Sequence, residues 1–364
     1  MKRRGLSSAI AITRLDWPLL TALLLLAGIG LFVLYSAADQ NLTMVSKQAV
    51  RLGIGFGALL VFSQIPPRLF RRWTPWLFVL GLVMLIGTEF FGVGRGSQRW
   101  LDLKFIRFQP SEIMKLGVPM MVAWWLHDKV LPPDMRSNLI VLAIIVLPVV
   151  LIARQPDLGT ALMVTVAGGF ALFLAGLRWR LIGGLVLLSA VAAPALWMVM
   201  REYQRNRIRT FLDPESDPLG EGWNIIQSKI AAGSGGLTGK GWLQGSQSHL
   251  EFLPERSTDF VLAVFAEEFG LLGILVLMTI YLYITGRGLY IAVHARDTYS
   301  RLLAGSLSMM FFLYVAVNAG MVSGLLPVVG VPLPLVSYGG TSIVTLLAGF
   351  GILMSIYSHR RMID

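Results

Sequence analysis

The 364-residue chain contains no cysteine and only four histidines, at positions 127, 249, 294 and 359. Without thiols it has no disulfide, no thiolate nucleophile and no Cys-ligated metal. The histidines fall on different connections, too scattered for a zinc centre. Charge is scarce as well: 14% of residues are Asp, Glu, Lys or Arg, against about a quarter in a typical soluble domain. With 55% hydrophobic residues and a mean hydropathy of +0.69, this is a membrane composition. The formal net charge of +11 does not point to nucleic acid, because cations in such chains mark cytoplasmic loops and the anionic lipid surface.

What is present is a series of apolar runs. They lie near residues 19–37, 49–64, 75–92, 113–126, 138–153, 160–177, 181–200, 259–284, 302–322 and 341–357. A hydrocarbon core needs about 20 residues of helix; the second and fourth runs fall short and need flanking polar residues to complete the span. Backbone in lipid must bond internally, and the runs lack the polar alternation of a barrel. The expected fold is therefore an all-α polytopic membrane protein with ten transmembrane helices, a single integral domain over residues 1–364. Its N-terminus, MKRRGLSSAIAITRLDWP, resembles the charged front of a signal peptide; it reads as a cytoplasmic tail ahead of a retained first helix.

Among short connections Lys and Arg favour one side: the N-terminal tail, then Arg68, Arg71, Arg72, Lys129, Arg136, Arg178, Arg180, Arg287, Arg296, Arg301, Arg360 and Arg361. Both termini are expected in the cytoplasm, and the long loop 201–258 outside. Within that loop, residues 221–232 suit a short helix on the membrane. The glycine-rich 233–241 fails the Walker pattern at Ser234 and Gly241; it reads as a flexible connection, with backbone donors to a pyrophosphate as the alternative.

Several polar residues need a reason to stand where they do. Asp259 opens the eighth run, where water meets hydrocarbon and an ionised acid is costly. Glu267 and Glu268 lie about 12 Å further along by helix rise and point elsewhere, which suits interhelical hydrogen bonds. Glu112 and Lys115 enter the fourth run three residues apart, hence on one helix face. They are either a structural ion pair or the lining of a phosphate-binding cavity. Arg95, Arg99, Lys104 and Arg107 load an external hairpin with positive charge. Arg201, Arg205 and Arg209 repeat every four residues as one stripe, with Arg207 off it. They face headgroups or grip an anionic substrate. Ser337, Tyr338, Thr341 and Ser342, in a Gly/Pro connection, offer neutral hydrogen bonds to a groove.

Several motifs in fixed order carry a family resemblance: RWLDL (99–103), RFQPSEIMK (107–115), QPDLGTA (155–161), the 211–242 stretch, LEFLPERSTDF (250–260), AEEFGLLG (266–273) and LPVVGVPLPLVSYGGTS (326–342). The chain resembles the SEDS family (shape, elongation, division and sporulation), and within it the elongation branch. The resemblance implies a ten-span peptidoglycan glycosyltransferase of the bacterial inner membrane, acting on lipid II at the outer face. The family's essential aspartate falls on Asp259, its membrane Glu/Lys pair on Glu112 and Lys115, and its arginine after the seventh span on Arg207. Many relatives have His where this chain has Ser257.

On that reading Asp259 is catalytic, and Arg207, Lys115, Glu112, Arg99, Arg205, Ser337 and Tyr338 bind substrate. No cofactor is obligatory; a divalent cation assisting at the pyrophosphate is compatible with the chain. The implied partners are lipid II with its growing glycan strand, a class B penicillin-binding protein transpeptidase and other elongation-complex membrane proteins. A lipid II flippase would need essential polar residues at midplane and near the inner face. A non-catalytic scaffold would leave the outer-rim carboxylate without a role.

Overall fold

The computed structural model describes residues 15–93, 99–102, 107–200, 202–217, 220–245 and 255–361. The N-terminal tail, Arg95, Lys104, Arg201 and residues 246–254 fall outside this set. The chain is an all-α polytopic membrane protein. Its helices are α1 (Trp17–Ala37), α2 (Leu42–Gln64), α3 (Pro67–Phe91), α4 (Pro110–Leu126), α5 (Met135–Arg154), α6 (Leu158–Leu174), α7 (Trp179–Val199), α8 (Glu202–Leu212), α9 (Glu221–Ser234), α10 (Val261–Val293), α11 (Thr298–Val322) and α12 (Thr341–Arg361). Two short antiparallel strands, β1 (Leu101–Asp102) and β2 (Arg107–Phe108), make the hairpin before α4. Among the described residues, α1, α2, α3, α5, α10, α11 and α12 are long and apolar enough to cross a membrane; α6 and the first part of α7 are apolar but shorter.

Helices begin where a cap allows, not where the apolar run starts. Asn41 accepts from the Met44 amide at 3.2 Å, so α2 starts seven residues ahead of position 49. Pro67 sits in the first turn of α3, where its missing N–H costs nothing, so α3 starts ahead of Pro75. Asp16, Asp134, Asp157 and Asp297 cap α1, α5, α6 and α11 in the same way.

Both ends of the described chain meet at one face. Arg287 of α10 grips Asp16 with three hydrogen bonds, the shortest 2.8 Å, and its guanidinium lies 5.3 Å from the Tyr357 ring. Asp259, at the other end of α10, lies on the opposite face.

The helix α10 is broken at Gly270, whose φ of +64° is open to glycine at little cost. The break frees backbone groups around it, and the 235–241 turn supplies their partners. Lys240 and Gly241 amides donate to the Glu267 and Glu268 carbonyls at 3.0 Å, and Leu271 and Leu272 amides donate back to Gly236 and Leu237 at 2.9 and 3.1 Å. Gly239, at φ +81°, packs so closely that a Cβ would collide with the Glu268 carbonyl. The glycine run is therefore a clamp on the kink, and its flexible reading is corrected. Helix α9, expected on the membrane surface, packs on α10 and buries Ile225, Gln227, Ser228 and Ala231.

Candidate active site

Asp259 lies in a tight turn just ahead of α10. The Glu255 carbonyl accepts from the Thr258 and Phe260 amides at 3.1 and 3.2 Å. Three consecutive carbonyls of this turn are then held from outside it. Tyr338 donates its amide to Ser257 at 2.8 Å, Ser337 its hydroxyl to Thr258, and Asn318 of α11 its Nδ2 to Asp259 at 2.8 Å. The same Nδ2 donates to the Val331 carbonyl at 2.8 Å, tying the 323–340 connection to the helix. Gly330, with φ +72°, brings that connection against the aspartate: a Cβ there would lie 3.5 Å from Asp259 Oδ2.

The connection is braced from α2. Gln48 donates Nε2 to the Ser337 carbonyl at 3.0 Å and accepts from the Gly339 amide at 3.3 Å. Arg51, one turn on, donates to the Gly339 carbonyl at 2.8 Å and lies 4.5 Å from the centre of the Tyr338 ring. Sequence reasoning missed Gln48, Arg51 and Asn318. An amide inside an apolar run was the available signal, since a buried polar group without a partner is costly.

Asp259 itself accepts no hydrogen bond through its carboxylate from the described residues. Burial pushes its pKa up from 3.8 to about 6, the nearby Glu255 charge adds to this, and Arg207 opposes it. Arg207 on α8 is thus within electrostatic reach of the aspartate, and it is half-buried. The stripe residues are engaged elsewhere. Arg205 caps the Met200 carbonyl at 2.9 and 3.0 Å, while Arg209 pairs with Glu202 at 3.0 Å and lies 5.9 Å from the Trp197 ring. Ser337 and the Tyr338 backbone likewise support the aspartate's turn.

A second polar group lies deeper. Lys115 and Glu112 pair at 2.7 Å with both side chains nearly inaccessible, and the ammonium lies 5.3 Å from the centre of the Tyr314 ring. Tyr314 is four residues before Asn318, so one face of α11 connects the pair to the aspartate's turn, about 6 Å along the axis. Glu112 Oε2 is buried with no hydrogen-bond partner among the described residues. Arg99 is anchored nearby, donating to the Gln155 and Pro156 carbonyls and lying 3.8 Å from Asp157. Gln109 donates to Asp157 at 2.7 Å.

Glu267 and Glu268 stand apart from this site. Glu267 pairs with Lys240 at 2.7 Å, and Glu268 accepts from Ser36 of α1 and from the Leu243 amide. They tie the clamp and α1 to α10, as interhelical bonding required. Among the described residues no group of three or more His, Asp or Glu is close enough to hold a metal ion.

Comparison with known proteins adds a family. The profile of the cell cycle protein family FtsW/RodA/SpoVE matches residues 16–362. The peptidoglycan glycosyltransferase MrdB of Escherichia coli K12 is 52% identical over 352 residues, covering 96% of this chain and 95% of the relative. A chain from a peptidoglycan synthase complex, described as coordinating polymerisation and crosslinking, superposes with a TM-score of 0.84 at 29% identity, covering 96% of this chain and 99% of the other. The rod shape determining protein RodA of Thermus thermophilus superposes at 0.73 with 26% identity, covering 96% and 98%.

Proposed function

The chain belongs to the FtsW/RodA/SpoVE family of cell cycle proteins, and on that premise we propose that Asp259 is its catalytic base. The protein is a peptidoglycan glycosyltransferase that polymerises lipid II into glycan strands during cell-wall elongation. Joining two sugars removes a proton from the acceptor GlcNAc 4-hydroxyl as the MurNAc anomeric carbon loses undecaprenyl pyrophosphate. A carboxylate with a pKa of about 6 is mostly ionised at neutral pH and is a stronger base than an ordinary Asp. That carboxylate, half-buried, aimed through its backbone and free of hydrogen bonds from the described residues, is the observation that carries the proposal.

Arg207 is the leaving-group contact in this reading. Its guanidinium is near enough to Asp259 to serve a substrate spanning both, and it can meet phosphate oxygens bidentately. Lys115 and Glu112 line the deeper end, where Glu112 Oε2 offers an acceptor. Arg99 and Arg205, both committed to backbone carbonyls, border the substrate surface, and Ser337 and Tyr338 serve it chiefly by fixing the turn. The α-to-β change of linkage fits one inverting displacement. No cofactor is obligatory; a divalent cation would arrive on the pyrophosphate.

The ten-span topology counts α4, α6 and α7 as crossings, with the termini cytoplasmic and loop 201–258 outside. A class B penicillin-binding protein is the proposed partner, docking through membrane helices and outer loops alongside other elongation-complex proteins. Purified Asp259→Asn protein, given labelled lipid II with its partner, should be folded and make no glycan polymer. Near-normal chains would remove the base assignment.

A further inference from the structure

At the membrane face opposite Asp259, α4 ends, α5 begins and α6 gives way to α7. The two connections touch there, with Gly176 packed on Pro132. Between them is a hollow lined by Trp125, Lys129, Arg136, Ile140 and Arg178, with Asp134 at its edge. Arg136 and Arg178 make no ion pair or side-chain hydrogen bond with the described residues, and both are exposed. Lys129 lies 5.3 Å from the centre of the Trp125 ring. Hydrogen bonds from Ser137 hold the Asp134 carboxyl below its usual range, and Lys129 adds to this. Asp134 is therefore ionised and committed to capping α5, and it offsets one of three positive charges. Two remain.

We infer that this hollow is a headgroup site for an anionic phospholipid of the leaflet opposite the active site. Two guanidiniums facing one space suit the oxygens of a phosphodiester. The depth is that of headgroups: Trp179, 79% exposed, stands beside Arg178, and indoles collect at the membrane–water interface. The wall toward the bilayer is apolar. Ile140 lines it, and Leu139 beside it is 59% exposed. A free phosphate would use the cations and leave that wall idle, whereas a phospholipid uses both. The site is separate from the catalytic group, because α4 carries Glu112 and Lys115 near one end and this hollow at the other.

The test is native mass spectrometry of the full chain released from nanodiscs of mixed phosphatidylglycerol and phosphatidylcholine. Wild-type protein should retain phosphatidylglycerol in preference. Arg136→Gln with Arg178→Gln should reduce that retention about tenfold, while Arg136→Lys with Arg178→Lys restores part of it. Arg68→Gln with Arg72→Gln, which removes as much charge from the same face, should leave it unchanged. Millimolar glycerol 1-phosphate should not displace the lipid. Equal retention in the Gln pair overturns the site, as does equal loss in the charge-matched control. Displacement by glycerol 1-phosphate would identify a soluble anion instead. Unchanged melting temperature and polymer output in the Gln pair show that a loss of lipid is not a loss of fold.

Discussion

Replacing Asp259 by Asn separates the carboxylate's chemistry from its shape, because the amide keeps the size and loses the charge. The folded-state pKa of about 6 lies above the ordinary 3.8, so folding favours the protonated acid. That contribution is fully present below pH 3.8 and is lost as pH rises through about 6. At pH 8 the ionised carboxylate is therefore a cost. A displacement of roughly two pH units, at about 1.4 kcal/mol each, sets an upper bound of about 3 kcal/mol. The group lies at the mouth of the site, where solvent screening leaves about 1–2. Asp259→Asn should melt a few degrees above wild type at pH 8, and the two should converge near pH 4, while polymerisation is abolished throughout. In wild type the ionised fraction falls from about nine-tenths at pH 7 to about one-tenth at pH 5, so polymer output at saturating lipid II should show an acid limb near 6. A stability gain that persists at pH 4, or no gain at pH 8, would refute the electrostatic account of this site.

Five further outcomes are expected. Gly239→Ala forces a Cβ into the Glu268 carbonyl at positive φ and should cost at least about 2 kcal/mol, read as lost membrane abundance and melting temperature. Gly233→Ala, with open space around it in α9, should be neutral or stabilising by about 0.5–1 kcal/mol. Lys115→Met alone leaves Glu112 buried beside an apolar group and should cost about 3–5 kcal/mol; adding Glu112→Gln should recover abundance, and a single variant as stable as the double would disprove the buried pair. Arg207→Lys should lower turnover at saturating lipid II more than Arg209→Lys, since a point charge cannot reproduce the bidentate fork; equal small losses would make Arg207 a surface charge. Asn318→Ala should lower turnover about tenfold or more with the acid limb unmoved, and wild-type turnover would show that the Asp259 turn does not need it.

The apolar helices were legible because hydrocarbon burial writes itself into continuous apolar runs. Their ends were not, because hydropathy marks the hydrocarbon and not the helix: Asn41 and Pro67 start α2 and α3 on local cap chemistry that extends beyond the bilayer core. The four-residue spacing put Arg205 and Arg209 on one helical stripe, and both stand on α8, while Arg201 lies outside the described residues. Glu202, one turn ahead of Arg205 and two turns ahead of Arg209, already gave those two arginines their partner and set Arg207 apart. The glycine run was ambiguous for a physical reason. Positive φ and close approach both select glycine, and only the distant kink at Gly270 shows that residues 235–241 are held tightly. Gln48 and Asn318 were visible as amides in apolar helices, but their partners lie in the 323–340 connection, which no local pattern reveals.

These placements bear on how the aspartate is aimed. The Ser257, Thr258 and Asp259 carbonyls are each fixed by a donor from α11 or the 323–340 connection. The protein thus orients the carboxylate through its backbone and leaves the carboxylate oxygens without hydrogen bonds from the described residues, as the proposed role of a base requires. A side-chain hydrogen bond would have aimed the group equally well but would have lowered its basicity. Backbone fixation avoids that loss, and it explains why position 257 tolerates Ser: its carbonyl, which every residue possesses, is what Tyr338 holds. It also divides the surrounding residues by effect. Asn318, Ser337 and Gln48 act on where the carboxylate points, so they bear on turnover and not on its pKa. Arg207 and Glu255 act on its charge, so they bear on both.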